Sequence, residues 1–297
     1  MLRTRNILII TILCGQMGIC WSFTKIKYPL TNEPIDVVIP AVDKDIPTLE
    51  LCIEGIRKYG ENIRRIIVVS SKQLTDKAEW FDEKSFQFTK RDIALEIFGG
   101  NVQQAEKFLA SPISRAGWIF AQCLKMYAIF VIPGISPNVL IIDSDTIFLR
   151  PVKFLNERNG GLYNPGTEYH MPYFQHMQRL LPGLRRVFHQ HSGITHHIVF
   201  QRSIMEDLFS MISHHHKTDM WRAMCRCIDH RHLHGATVND YGSPCADYEI
   251  YFNFAFDRTD QVEIRPLRWE NVGDTNAIPK FQAEGYHQIS CHAHLRH

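Results

Sequence analysis

The stretch NVLIIDSDTIFLRP, residues Asn138–Pro151, joins an uninterrupted apolar run to two carboxylates. Such a run is typical of a strand buried on both faces, in a parallel or mixed sheet covered by helices. Asp143 and Asp145 follow it directly, and unpaired charges at such a place are costly. A divalent cation would compensate the two negative charges. Carboxylates at i and i+2 can reach one hard cation, which keeps open positions for phosphate oxygens. Ligands of open α/β sheets gather at the carboxyl ends of strands, so the stretch predicts a metal–diphosphate site.

The chain before this stretch predicts a strand–helix–strand unit. Residues 35–40 and 64–70 are apolar runs, and residues 46–59 between them have helical spacing and end at Gly60. A unit of this length gives a parallel sheet with a right-handed crossover. Residues 117–132 predict a helix that leads into the opening strand, whereas the pattern of residues 76–101 is irregular.

The C-terminal half has shorter and less regular patterns. We predict a short helix at 176–184, a strand at 192–200, helices at 203–212, 218–228 and 248–256, and closing strands at 262–265 and 287–292. The fold prediction is therefore α/β, with a mixed, mostly parallel sheet flanked by helices. One domain covers residues 35–297, with a Rossmann-like nucleotide-binding half at 35–150 and an acceptor half at 151–297.

The composition excludes few functional classes, but the N-terminal residues indicate where the protein is located. The 297 residues are 45% hydrophobic and 22% charged, and a formal net charge of +2 does not indicate a general nucleic-acid binder. Arg3 and Arg5 precede a short apolar segment, so residues 1–23 are predicted to be a signal peptide or a signal-anchor, followed by a connector at 24–34. This segment predicts a membrane-anchored or secretory-pathway protein, with a cytoplasmic location left open.

Cysteines and histidines suggest a second metal site, which the spacing does not favour. Eight cysteines are present, and this number permits disulfides without requiring them. Cys225 and Cys227 are followed by His230, His232 and His234. The Cys-x-Cys pair is tighter than the usual zinc-finger pair, so a zinc site and a disulfide remain alternatives.

Several segments resemble a known class of enzyme. They are residues 36–40, 117–118 with 125–128, 140–151, 163–170, 192–197 and 247–253. In these segments the sequence resembles nucleotide-sugar glycosyltransferases of the A-type fold, whose Asp-x-Asp motif binds a divalent metal and the donor diphosphate. More narrowly, it is similar to a little-characterised glycosyltransferase-like family. That family tends to have glutamate where Asp247 stands.

The resemblance implies that the first strand binds the donor. Pro40, Ala41 and Asp43 would line the nucleoside pocket, with Ser70 near the base. For Asp43 the alternative is a cap of the following helix.

Two basic residues, Arg115 and Lys125, precede the metal strand and could neutralise the diphosphate. The alternative for Lys125 is an exposed position on its helix.

The acceptor side has acidic and histidine candidates. An inverting transfer needs a base for the acceptor hydroxyl, and Asp247 and Glu249 are the candidates. The alternative is that they are acids favoured at a helix N-terminus. His292 would be the third metal ligand, because many A-type glycosyltransferases complete the site with a late histidine. One of His196 and His197, on opposite faces of their predicted strand, would contact the acceptor sugar.

The functional prediction is a glycosyltransferase that depends on Mn²⁺ or Mg²⁺. It would move a sugar from a nucleotide-diphosphate donor to a glycan, lipid or protein acceptor. Two alternatives use the same aspartates or the same fold: a metal-dependent phosphoryl or nucleotidyl transferase or hydrolase, and a non-catalytic carbohydrate-binding protein. The donor, the acceptor and the stereochemical outcome stay open.

Overall fold

The computed structural model describes residues 24–234 and 242–292. The predicted leader at 1–23 and the last five residues of the predicted domain lie outside these ranges, so membrane association through the leader stays a prediction. Within the described ranges, no helix has the length and apolar character needed to cross a membrane.

The secondary structure alternates between strands and helices in its first half. The strands are β1 Ile35–Pro40, β2 Ile63–Ser70, β3 Glu79–Asp82, β4 Asn138–Ile142, β5 Thr146–Phe148, β6 Leu162–Tyr163, β7 His197–Gln201, β8 Glu263–Ile264, β9 Trp269–Val272 and β10 Gln288–Cys291. The helices are α1 Ile46–Tyr59, α2 Lys90–Ile97, α3 Val102–Ala110, α4 Ala116–Val131, α5 Met171–Leu180, α6 Arg202–His216, α7 Met220–Arg226, α8 Asp247–Arg258 and α9 Ile278–Ala283.

The central sheet has five strands in the order β3-β2-β1-β4-β7. The first four run parallel, and β7 runs antiparallel to β4. Strand β4 is buried along its whole length, as its apolar sequence requires. The α/β class, with a mixed and mostly parallel sheet flanked by helices, is therefore confirmed.

A second sheet continues the chain beyond the two aspartates. Its order is β5-β10-β9, and β5 is antiparallel to β10. A small hydrophobic cluster that includes Ile147, Leu149 and Ile289 packs beneath it. The C-terminal strand β10 therefore lies beside the segment that follows Asp145.

The prediction of irregular structure at residues 76–101 is wrong. This segment contains β3 and α2. The Thr89 hydroxyl accepts a hydrogen bond from the Asp92 N–H, and the Asp92 carboxylate accepts one from the Thr89 N–H, so α2 begins with a capping box. Strand β3 is a short edge strand with no buried residue, and for this reason it shows no apolar pattern.

Two further boundaries in the acceptor half differ from the prediction. Helix α5 begins at Met171 rather than at 176, and Pro172 occupies its first turn. Strand β7 begins at His197 rather than at 192, because His196 has a φ of +64° and cannot continue a strand. The prediction that His196 and His197 lie on opposite faces of one strand is therefore wrong.

Candidate active site

The antiparallel pair β4–β7 determines what lies beside Asp143. Ile142 is paired with His197, and the Asp143 N–H donates to the His196 carbonyl at 2.9 Å. Strand β7 therefore brings His196 to the carboxyl end of β4. No local sequence pattern predicts this arrangement, because Asp143 and His196 are distant along the chain.

The carboxylate of Asp143 is held by three side chains. Lys125 Nζ donates to its Oδ1 at 2.6 Å, and the Tyr248 hydroxyl donates to the same oxygen at 2.9 Å. His196 Nδ1 lies 3.3 Å from Oδ2. Burial would raise the pKa of Asp143, but Lys125 and His196 outweigh it and hold the pKa well below its usual range. Asp143 is therefore ionised and fixed in orientation.

Lys125 projects from α4 into the interior, not onto an exposed helix face. Its side chain is only 7% exposed, and Nζ lies 3.8 Å from Asp247 Oδ1. Nζ also lies 4.3 Å from the centre of the Tyr248 ring. Burial alone would lower its pKa, but Asp143 and Asp247 raise it above the usual value. The amine is therefore a buried cation balanced by two carboxylates.

Asp247 occupies the first position of α8 and is buried. Its N–H donates to Gln122 Oε1 at 3.0 Å, but neither carboxylate oxygen has a hydrogen-bond partner among the described residues. Burial and the neighbouring Asp143 raise its pKa to about 6, against the opposing effect of Lys125. A group with this pKa changes its charge close to neutral pH.

Asp145 and His292 lie side by side, because Asp145 precedes β5, His292 follows β10, and these two strands are paired. His292 Nδ1 lies 3.5 Å from Asp145 Oδ2, and His292 Nε2 lies 3.2 Å from His196 Nε2. The other oxygen of Asp145, Oδ1, is buried without a hydrogen-bond partner in the described part of the chain. The pKa of His292 is raised, because Asp145 and Asp143 outweigh the effect of burial. The two histidines thus link the side chains of Asp143 and Asp145.

This donor set fits a divalent cation in chemistry. Carboxylate oxygens and imidazole nitrogen are ligands for such ions. The buried Asp145 Oδ1 has no hydrogen-bond partner in the described part of the chain, and a bound cation would be its partner. The side chains of residues 24–234 and 242–292 do not gather three His, Cys, Asp or Glu groups at metal-binding distances. Binding would therefore require side-chain adjustment at Asp145 and His292.

Glu249 lies in a different environment from Asp247. Its Oε1 accepts from the Ser192 hydroxyl, and its Oε2 accepts from Asn253 Nδ2 at 2.8 Å. Burial raises its pKa against these hydrogen bonds. Within the described residues, none of its side-chain hydrogen bonds reaches Asp143 or Asp145. The structure thus brings Asp247, but not Glu249, into the aspartate cluster.

The predicted donor residues lie at the carboxyl ends of β1 and β2. Pro40 ends β1 and Ala41 follows it. The exposed Asp43 forms an ion pair with Lys72 at 2.7 Å. Ser70 is buried, and its hydroxyl donates to the Lys72 carbonyl at 2.7 Å. Because β1 lies between β2 and β4, these residues share one sheet edge with Asp143.

Arg115 and Lys125 are not neighbours. Arg115 stands at the start of α4, where its N–H donates to the Leu233 carbonyl at 3.0 Å. Ten residues along a helix correspond to about 15 Å, so the backbones of the two basic residues are well separated. Of the two, it is Lys125 that reaches Asp143.

The cysteines of the described ranges do not form a second site. All six cysteines in the described ranges are free and buried. Burial and the neighbouring Cys123 raise the pKa of the Cys225 thiol well above its usual value. A thiol with a raised pKa is a poor metal ligand, since metals bind the thiolate. Neither the zinc alternative nor the disulfide alternative is found among these residues.

Two residues of this site escaped prediction from the sequence. Tyr248 reads as one more aromatic residue of a core helix, yet its hydroxyl binds Asp143. Glu168 lies in a turn-rich segment with no periodic pattern, yet it interacts electrostatically with His196 and His292. Both residues lie in segments that carry the resemblance, 163–170 and 247–253, but the resemblance implied no role for either.

No family model matches the sequence, and no curated protein matches it. Among solved structures, the chain is similar to one described as "WbbM bifunctional glycosyltransferase, apo structure", with 14% sequence identity and a TM-score of 0.45. The match covers 91% of this chain and 47% of that chain, so the chain spans about half the length of the protein it matches.

Proposed function

We propose that this chain is a metal-dependent glycosyltransferase that uses a nucleotide-diphosphate sugar. The observation that carries the proposal is the buried Oδ1 of Asp145, near Asp143 and His292 at the carboxyl end of β4, which has no hydrogen-bond partner among residues 24–234 and 242–292. A buried carboxylate oxygen without a donor is costly unless a ligand meets it. The position matches the sheet edge at which α/β proteins bind nucleotides.

Asp143, Asp145 and His292 would hold the Mn²⁺ or Mg²⁺ ion. When bound, the ion would act as a Lewis acid that stabilises the departing nucleoside diphosphate. Asp143 enters this arrangement already fixed by Lys125, Tyr248 and His196. Donors that fix a ligand in this way keep the site from reorganising when the metal and donor arrive.

The donor nucleoside would lie over the ends of β1 and β2. Val42 and Trp80 are apolar and partly exposed there, at 46% and 40%. Trp80 Nε1 donates to the Ser70 carbonyl at 3.2 Å, which fixes the indole ring. An exposed, fixed indole beside charged Asp43 and Lys72 offers a stacking face for a base and polar groups for a ribose.

Asp247 and Glu249 would then have different roles. Asp247 is closed to solvent and faces Lys125, so it would position the lysine and, through it, Asp143. Glu249 is engaged by Ser192 and Asn253, so it would support the fold of the acceptor half. Neither carboxylate is open to an acceptor hydroxyl in this geometry.

The test is turnover of a nucleotide-sugar panel with and without Mn²⁺, followed as release of nucleoside diphosphate. We expect one donor to be turned over, and we expect Asp145→Asn to abolish the reaction while Ser144→Ala, the neighbouring non-ligand, retains it. Turnover that survives Asp145→Asn would refute the proposal.

The two alternative functions have their own outcomes in this test. Phosphate release from simple esters, without sugar transfer, would favour a phosphoryl transferase or hydrolase. Metal binding with no turnover of any sugar nucleotide would favour a non-catalytic carbohydrate-binding protein.

A further inference from the structure

The imidazole of His292 has polar neighbours at both of its ring nitrogens. Nδ1 lies 3.5 Å from Asp145 Oδ2, whereas Nε2 lies 3.2 Å from His196 Nε2 and 3.1 Å from Asn271 Oδ1. A neutral imidazole carries one N–H, so these neighbours decide which nitrogen holds the proton and which keeps its lone pair. Because a metal ion binds the nitrogen with the lone pair, they also decide which side of the ring can serve a metal site.

The first of these neighbours, His196, is itself fixed by Asp143. Asp143 is a carboxylate paired with Lys125, and a carboxylate can only accept hydrogen bonds. His196 Nδ1, at 3.3 Å from Asp143 Oδ2, therefore carries the proton of a neutral His196 ring. The lone pair of His196 Nε2 then faces His292 Nε2 at 3.2 Å. Two lone pairs at this distance would repel each other, so the proton of His292 is favoured on Nε2.

The second neighbour, Asn271, accepts from the same N–H. Its amide oxygen lies 3.1 Å from His292 Nε2, and an amide oxygen has no proton to donate. With the proton of His292 on Nε2, the lone pair of the ring is on Nδ1, the nitrogen beside Asp145. Asn271 thus favours the one neutral form of His292 in which the imidazole and the Asp145 carboxylate can bind the same cation.

Strand β9 brings Asn271 to this place from the edge of the second sheet. The strand is parallel to β10 and pairs Asn271 with Ser290, two residues before His292. Trp269 projects from the same face of β9, and its ring centre lies 5.6 Å from that of His196. Asn271 is exposed, and within residues 24–234 and 242–292 its side chain makes no other hydrogen bond. The amide can therefore be replaced without removing another contact of the sheet.

We propose that Asn271 is a positioning residue of the metal site. By accepting the Nε2–H of His292, it holds the ring in the neutral form whose Nδ1 lies beside Asp145 and would bind Mn²⁺ or Mg²⁺. The inference rests on the proposed function for the metal ion. The form of the His292 ring is a separate property, which the metal-free chain already has.

Two measurements on the full chain test this role. The affinity for Mn²⁺ follows from the EPR signal of the free ion, and long-range ¹H–¹⁵N NMR of the metal-free chain shows which nitrogen of His292 carries the proton, at about pH 8. The His292→Gln variant identifies the His292 signals.

Two substitutions of Asn271 separate its oxygen from its size. Asn271→Leu has nearly the same size but no acceptor, so we expect about tenfold weaker Mn²⁺ binding and a larger share of His292 with the proton on Nδ1. The expected loss is at the lower end of the usual effect of such a partner, because His196 remains. Asn271→Asp keeps an accepting oxygen and should keep both the Mn²⁺ affinity and the proton on Nε2.

Glu270→Gln is the matched control on the same strand. Its side chain projects from the opposite face and keeps an oxygen for the Asn271 N–H, so Mn²⁺ affinity should stay within about twofold of the wild-type value. Unchanged Mn²⁺ affinity in Asn271→Leu, or a wild-type His292 with its proton on Nδ1, would overturn the proposal. A wild-type chain that binds no Mn²⁺ would reject the role of Asn271 together with the metal dependence. Asn271-dependent Mn²⁺ binding without turnover of any donor would instead reject the glycosyltransferase proposal alone.

Discussion

Replacing Asp247 with asparagine is expected to stabilise the fold at neutral pH. Asp247 is buried, and neither of its carboxylate oxygens accepts a hydrogen bond from the described residues. Lys125, 3.8 Å away, compensates its charge only in part, because the same amine also serves Asp143 at 2.6 Å. Asparagine has nearly the same shape and carries no charge, so the variant removes the cost of ionisation and keeps the packing.

The size of the effect follows from the pKa of Asp247. Its pKa is about 6 in the fold, against an ordinary value of 3.8. Because the native state holds the proton more tightly, it binds more protons than the unfolded state between these values, and stability falls as pH rises through this range. At about 1.4 kcal/mol for each pH unit, ionised Asp247 costs about 3 kcal/mol at pH 7 and above, and about half of that at pH 5.

Urea unfolding of the wild-type chain and of Asp247→Asn, without added metal, measures this difference. We expect the variant to be more stable by about 3 kcal/mol at pH 8 and by about 1.5 kcal/mol at pH 5. Other titrating groups, such as buried histidines, contribute equally to both proteins and cancel in the difference. A variant that is less stable than the wild-type chain at pH 8, or a difference independent of pH, would refute the reasoning.

Three further predictions concern other buried groups. Lys125→Met leaves Asp143 and Asp247 without their cation and should cost about 3–5 kcal/mol in urea unfolding. Asp247→Asn should raise the free energy of unfolding more in the Lys125→Met variant than in the wild-type chain. If the effects of the two substitutions simply add in the double mutant, the proposed ion pair between Lys125 and Asp247 is contradicted. Glu249→Gln exchanges an oxygen that accepts a hydrogen bond for an amide that donates, and should destabilise by about 1–3 kcal/mol, so a neutral result would be inconsistent with the bonds to Ser192 and Asn253. Burial lowers the pKa of His176 from 6.5 to about 4, so the native state resists protonation and stability should fall as pH drops through this range. The stability lost by pH 4 is about 3 kcal/mol. In the same pH series, the stability of His176→Gln should depend less on pH than that of the wild-type chain. An equal pH dependence in the two proteins would contradict the lowered pKa of His176.

The parts of the fold that the sequence predicted correctly are those specified by local patterns. Strand β4 is buried on both faces and is therefore apolar throughout, and α1 shows its buried face at helical spacing. Edge strand β3 and helix α2 were missed because β3 is short and half exposed and α2 is short. The strand predicted at 192–200 began too early, because the alternation before His197 belongs to a buried turn rather than to a strand.

The candidate site was predictable only in part, for a similar reason. The two aspartates and Lys125 belong to neighbouring elements, α4 and β4, whose order along the chain is already informative. Tyr248 reaches Asp143, and Glu168 interacts electrostatically with His196 and His292, only through the tertiary fold. An aromatic residue in a core helix and an acid in a turn carry no local signal of such a role.

The position of the site follows from two antiparallel pairings rather than from the Asp-x-Asp spacing alone. Pairing of Ile142 with His197 brings His196 to Asp143, and pairing of Thr146 with Ser290 brings the end of β10 to Asp145. The Cys291 N–H donates to the Asp145 carbonyl at 2.8 Å, so His292 follows directly beside that carboxylate. A shift of either pair by one residue would turn the histidine to the opposite face of its sheet. Each aspartate thus gains its histidine from a different sheet, and the two histidines meet between them at 3.2 Å.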